Sequence, residues 1–233
     1  MLLARRKIVF VIVEGMTDEV SLGAAISKVY DEDSVYVHIM HGDITTRKGV
    51  NGGNVVAKVG NEIKQYAASN HYKNSDFKQI IHIVDMDGAF VPDEIIIEED
   101  GISGIIYETD KIRSNNVDAT IRRNEQKRDN LERLRVRADI WGIPYKVYFM
   151  SCNLDHVLHN KRNSTDEEKE KDAYAFAQKY KNDREGFLNY ICRSDFSVDM
   201  NYRDSWKWIE KGTNSLNRYT NLGRDLWYPS FES

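Results

Sequence analysis

Residues 7 to 15 read Lys-Ile-Val-Phe-Val-Ile-Val-Glu-Gly, and residues 79 to 88 read Gln-Ile-Ile-His-Ile-Val-Asp-Met-Asp-Gly. Each is an apolar run that breaks into acid and then glycine. The first delivers Glu14, the second Asp85 and Asp87. Short apolar runs bounded by glycine predict buried parallel strands. In an open α/β sheet, ligands bind beyond the carboxyl ends of the strands. Carboxylates gathered there repel one another, and a bound hard cation relieves that repulsion. One or two Mg²⁺ or Mn²⁺ ions held this way could neutralise phosphate oxygens, activate a water and stabilise a leaving oxygen, which is what phosphodiester hydrolysis requires.

Further acids stand near these strand ends. Asp18 lies one helical turn past Glu14 and reads either as a second ligand or as a charge at a helix N-terminus, with Glu19 as its competitor. Asp155 follows the apolar run 145–150 and reads either as a metal ligand or as a cap on the next helix. His156 and His159, at i and i+3, could share a helix face, but no other His or Cys stands at zinc-like spacing. The loop Gly49-Val50-Asn51-Gly52-Gly53-Asn54 precedes a predicted helix, whose free N–H groups could hold a phosphate. It lacks the Lys-Ser/Thr ending of a nucleotide loop, and a plain flexible loop is the competing reading.

The elements that must position these residues alternate. Strands are predicted over 7–13, 35–40, 79–84 and 145–150, and helices over 17–30, 54–69 and 124–141. An Asp-rich turn precedes the second strand, and residues 89–118 read as irregular with a hairpin about 95–106. This order predicts a parallel sheet with right-handed crossovers. Beyond residue 150 no further strand is evident. Helical patterns run over 155–159, 165–181, 184–192, 202–210 and 212–227.

The 233 residues carry a formal net charge of −4, so nucleic-acid binding would rest on local patches and not on a global field. Lys48, Arg122, Arg123 and Lys127 are the candidates, the last two on the charged 124–141 helix and its approach. That helix reads equally as a solvated face. The two cysteines are too few for a disulfide framework and suit a reducing compartment. The first residues lack the pattern of a signal peptide, and no segment reaches transmembrane length, so a cytoplasmic location is expected.

Val13-Glu14-Gly15-Met16-Thr17-Asp18 followed by Asp85-Met86-Asp87-Gly88, on the first and third strands of this order, resembles the Toprim domain. That family includes type IA topoisomerases, bacterial primases, ribonuclease M5 and the nuclease domains of OLD-type proteins. The resemblance covers residues 5–160 and implies an α/β, Rossmann-like fold with a parallel four-stranded sheet and flanking helices. It implies a Toprim domain over 1–160, with an insert about 89–123, and a helical C-terminal extension over 161–233 packed on it. It further implies Mg²⁺ or Mn²⁺ as cofactor, catalytic roles for Glu14, Asp85 and Asp87, with Glu14 a metal ligand or general base and Asp85 and Asp87 metal ligands, and Asp18 and Asp155 as candidate ligands of a second ion. OLD-type nucleases also use a late lysine. Lys207 and Lys211 are the possible equivalents, and Lys211 is carried as the catalytic candidate. Trp206, Trp208 and Tyr202 nearby could stack bases or simply pack.

The chain lacks room for the large domains of a topoisomerase and the modules of a primase, and it most resembles stand-alone OLD-like and RloB-like proteins. The expectation is a metal-dependent endonuclease acting on DNA or RNA, with transfer RNA as one target class. The resemblance also implies anti-phage defence, an ABC-type ATPase partner and a homodimer. The alternative is a catalytically weak Toprim subunit that docks the ATPase or senses a phage protein.

Overall fold

The structure, a computed structural model, describes residues 6–30 and 35–227. The expected Asp-rich turn before the second strand and the start of the chain, on which the signal-peptide reading rested, lie outside the described residues.

Strand β1 (Lys7–Val13) is buried along its length except at Lys7, which explains its unbroken apolar run. Helix α1 (Met16–Val29) follows and turns Leu22, Ala25, Ile26 and Val29 inward at helical spacing. Next come β2 (Val35–His41) and α2 (Val55–Ser69), which buries a stripe of Val55, Val59, Ile63 and Ala67. Strand β3 (Phe77–Asp85) is longer than the expected 79–84 and ends on Asp85 itself.

Three short strands follow: β4 (Ile96–Glu98), β5 (Ile105–Tyr107) and β6 (Ile112–Ser114). The hairpin expected about 95–106 does not form. β6 lies between the other two, parallel to β4 and antiparallel to β5. The tight turn is therefore between β5 and β6, closed by the Glu108 N–H on Lys111 O at 3.0 Å. Arg113 of β6 reaches back to Glu99 with two bonds of 2.6 and 2.8 Å.

Helix α3 (Val117–Leu134) starts and ends seven residues before the expected 124–141. Its start is set by Asn116, whose Oδ1 accepts the Ala119 N–H at 2.9 Å. After it, β7 (Asp139–Ile140) turns through Trp141 and Gly142, both at positive φ, into β8 (Ile143–Ser151). The remaining elements are α4 (Leu154–His159), α5 (Asp166–Tyr180), α6 (Arg184–Arg193), α7 (Tyr202–Ile209), β9 (Tyr219–Thr220) and α8 (Leu222–Trp227). β9 corrects the expectation that no strand follows residue 150.

The chain divides into two compact units, each built from separated segments. The first holds Met1–Ile83, Asp129–Val147 and Ala173–Phe187; the second holds Val84–Arg128, Tyr148–Asp172 and Leu188–Ser233. Residues on both sides of the expected 160/161 boundary contribute to both units. In the first unit β1 pairs in parallel with β2 and with β3, and β7 pairs antiparallel with β8, within the order β2-β1-β3-β8-β7. In the second, β9 pairs antiparallel with the end of β8, through Met150 and Ser151. The result is a mixed α/β fold with a mainly parallel sheet of six strands, not four.

The second unit has its own small core of Val91, Ile96, Ile112, Cys152 and Leu216. Among the described residues no helix is long and apolar enough to cross a membrane.

Candidate active site

The Asp85–Gly88 turn, in the second unit, is held from several sides. Past the end of β3 the ladder continues, with the Met86 N–H on Met150 O at 2.9 Å and the Asp87 N–H on Cys152 O at 2.7 Å. Asp85 Oδ1 accepts the N–H of Leu154 at 2.8 Å and so satisfies an open donor in the first turn of α4. Asp87 has φ of 49° and Gly88 of 65°. Aspartate tolerates this left-handed region better than most residues. Glycine at 88 is needed on two counts, since a Cβ there would stand 2.7 Å from Leu216 Cδ2 and 2.8 Å from Ile112 Cδ1.

Asp87 is charge-compensated from within the protein. Lys127, on α3, has none of its side-chain surface exposed, and its ammonium pairs with Asp87 Oδ2 at 2.5 Å. Arg123, one turn earlier, donates to the Asp87 carbonyl at 2.9 Å and to the Tyr107 hydroxyl at 2.8 Å. The Tyr107 hydroxyl in turn donates to Asp87 Oδ1 at 3.4 Å. Burial alone would push the Asp87 carboxyl up, but the charges of Lys127 and Arg123 and the bonds from Lys127 and Tyr107 outweigh it and hold the group below the usual carboxylate range. Burial, reinforced by the Asp87 charge, pushes the Tyr107 hydroxyl up, so it remains a proton donor at neutral pH. The same two causes, with Asp85 added, raise the Cys152 thiol.

Helix α4 is capped by Asn153, whose Oδ1 accepts the His156 N–H at 2.9 Å, and not by Asp155. Asp155 is nearly buried and has the Lys169 ammonium at 4.0 Å. His156 accepts the Cys152 N–H on Nδ1 at 3.3 Å. Burial, together with the charges of Arg162 and Arg218, lowers it to about 4 and keeps the imidazole neutral at physiological pH.

In the first unit, Glu14 directly follows β1. The Thr45 hydroxyl lies 3.2 Å from Glu14 Oε1 and 3.1 Å from Asp43 Oδ1, and its single proton serves one carboxylate at a time. Thr45 is fully buried, and its carbonyl accepts from the buried Asn130 amide at 2.7 Å. Asp18 Oδ2 accepts the Gly15 N–H at 2.8 Å, the helix-terminus role foreseen as its alternative. Glu19 lies 2.7 Å from His41 Nδ1.

The glycine loop is closed on itself. Asn51 Oδ1 takes the Gly53 N–H at 2.9 Å, Asn54 Oδ1 takes the Asn51 N–H at 3.0 Å, and Asn51 O takes those of Asn54 and Val55 at 2.9 Å. These amides are therefore already committed and do not form an open phosphate cradle.

Of the basic candidates, Lys48 and Arg122 are exposed. Lys127 is corrected from a surface residue to a buried counter-ion, and Arg123 is turned inward onto Tyr107 and Asp87. Lys211 is exposed, and Lys207 faces Asp204 at 3.3 Å. Trp206 packs edge-on against Phe149 at 5.3 Å and is buried, so it is a core residue and not a stacking platform. Sequence reasoning missed Tyr107, Asp43 and Thr45, and gave Lys127 the wrong setting. One signal for Lys127 was present: Thr120, Asn124, Lys127, Leu131 and Leu134 fall on one face of α3, all buried.

Among the described residues, no three or more His, Cys, Asp or Glu side chains lie grouped so as to hold a metal ion. The chain matches none of the protein-family models, curated proteins or solved structures with which it was compared.

Proposed function

We propose that this chain is a Toprim-type, Mg²⁺- or Mn²⁺-dependent endonuclease that hydrolyses phosphodiester bonds of DNA or RNA. The observation that carries the reading is the parallel pairing of β1 and β3. Ile12 is the register partner of His82, and each strand then runs into acid, Glu14 two residues on and Asp85 three residues on. That is the strand end at which α/β sheets bind ligands. The donor chemistry fits a hard cation, since every candidate ligand is a carboxylate. Asp85 is aimed by the Leu154 amide and Glu14 by the Thr45 hydroxyl, the kind of outer partner that orients metal ligands. Asp87 fits less simply, because Lys127 already pairs with it.

When bound, the ion would polarise the phosphate and lower the pKa of a water. The chain's own residues supply the rest. Glu14 and Asp85 hold negative charge at the strand ends. Arg123 adds a positive charge beside the Lys127–Asp87 pair that favours an anionic substrate. Exposed Lys48 and Arg122 are the candidates for contact with the nucleic-acid backbone. Transfer RNA as target, a role in anti-phage defence, an ABC-type ATPase partner and a homodimer belong to this reading through the Toprim resemblance.

Cleavage of labelled RNA and DNA with Mg²⁺ or Mn²⁺ tests it. E14A and D85N should each lower the rate by about 100-fold or more, the scale on which a charge-stabilising group acts. Undiminished cleavage by both purified variants refutes the assignment.

The Lys127–Asp87 pair favours a second reading, in which the domain is a Toprim regulatory or binding subunit with a weakened site. Calorimetric titration with Mn²⁺ separates the two, because only the nuclease reading requires the ion to bind.

A further inference from the structure

A cation drawn out of solvent is stable when an anion accompanies it. Arg123 and Arg162, both half-buried and both in the second unit, have no carboxylate in contact among the described residues. Every acceptor that Arg123 meets is neutral. Its Nε and Nη2 share Asn124 Oδ1 at 3.2 and 2.6 Å, Nη2 also donates to the Asp87 carbonyl at 2.9 Å, and Nη1 donates to the Tyr107 hydroxyl at 2.8 Å. The Asp87 carboxylate acts on this guanidinium through space without bonding to it. That leaves one N–H of Nη1 uncommitted among the described residues. Arg162 donates through Nε alone, to the Leu216 carbonyl at 3.2 Å, which leaves both Nη groups of its fork.

The two arginines flank one turn. Arg123 holds the carbonyl of Asp87, and Arg162 holds that of Leu216, whose Cδ2 would lie 2.7 Å from a Cβ at Gly88. Asn163, next to Arg162, pairs with both backbone groups of Tyr107 at 2.9 and 2.8 Å. It thereby ties Arg162 to the residue whose hydroxyl Arg123 holds. Burial, Asp87 and Asp85 raise the Cys152 thiol, and the charges of Arg162 and Arg123 both oppose that rise, so the two reach one point of the site.

We propose that Arg123 and Arg162 form a phosphate subsite beside the Asp87–Gly88 turn, which holds a backbone phosphodiester of a nucleic-acid strand. The fork of Arg162 matches two phosphate oxygens. Arg123, fixed by its neutral partners, offers its remaining N–H with little ordering left to do. The inference deepens the nuclease reading and rests on it for the class of ligand.

The test is the affinity of the full chain for fluorescein-labelled single-stranded RNA and DNA of one sequence, by anisotropy in EDTA. The proteins are the wild type, R123M, R162M and R203M. Methionine keeps an apolar stem and removes the charge, and EDTA separates phosphate binding from metal binding. R123M and R162M should each weaken binding about tenfold. Each should also make the dependence of log Kd on log salt shallower by about 0.7, the share of one phosphate contact on a single strand. R203M, at an exposed arginine of α7, should change affinity by less than about twofold. The RNA and DNA arms show which strand supplies the phosphate.

A folded R123M or R162M that binds both strands within about twofold of the wild type overturns the inference. So does R203M weakening binding as much as the other two, the mark of a diffuse charge effect, and so does a wild type that binds neither strand. Where R123M does not fold, R162M decides, since that arginine side chain makes a single hydrogen bond among the described residues. Cleavage with Mn²⁺ is scored separately. Cleavage by the wild type keeps the nuclease reading when the inference falls, and its absence ends that reading while the EDTA result still judges the subsite.

Discussion

Lys127 and Asp87 stabilise one another because each is the other's compensation in a poorly solvated place. Removing one partner leaves the other as an uncompensated charge, at a cost of about 3–5 kcal/mol. K127A should therefore lower unfolding stability in urea by about that amount, and a loss below about 1 kcal/mol would contradict the ion pair as described. His156 gives a pH dependence of definite sign. Its folded value, about 4, lies below the ordinary 6.5, so the unfolded chain takes up the proton first as pH falls. The contribution is whole above about pH 6.5, is lost as pH falls towards 4, and amounts to at most about 3 kcal/mol. The stability difference between the wild type and H156Q should shrink across that window; a difference independent of pH would contradict the buried neutral imidazole. At this scale Glu14, Asp85 and Asp87 were legible as candidates, because an acid that ends an apolar strand is conspicuous. The counter-ion was not, because a lysine among arginines on a charged helix looks like every solvent-facing lysine until its helix face is known.

Helix α3 shows why its limits shifted. The pattern of charges suggested a start at 124, but Asn116 supplies the cap that begins it seven residues earlier. Its buried face carries Thr120, Asn124 and Lys127 before Leu131 and Leu134, so the usual apolar stripe was visible in its second half only. The order β4-β6-β5 was hidden for a different reason. Three-residue strands carry too little alternation to reveal which neighbour they choose. The Asp87–Gly88 turn is the tightest point between these elements. G88A places a methyl group against Leu216 and Ile112 and holds it at positive φ, a combined cost of about 1–3 kcal/mol. The melting temperature should fall by roughly 2–12 °C, and an unchanged value would show that the turn is looser than described.

The alternation of strands and helices was enough to give the α/β class and the mainly parallel sheet. It was not enough to give the two units, because β3 and β8 each pass from one unit into the other and a linear reading cannot cut within a strand. The net charge of −4 makes any nucleic-acid binding a matter of local groups such as Lys48 and Arg122. The central claim for the whole molecule is that the carboxylates ending its parallel strands bind a divalent ion. Anomalous diffraction from crystals soaked in Mn²⁺ tests it most directly. The account predicts a manganese peak with Glu14 or Asp85 oxygens among its ligands; a peak bound by neither residue, or none in crystals where the metal has free access, would contradict it.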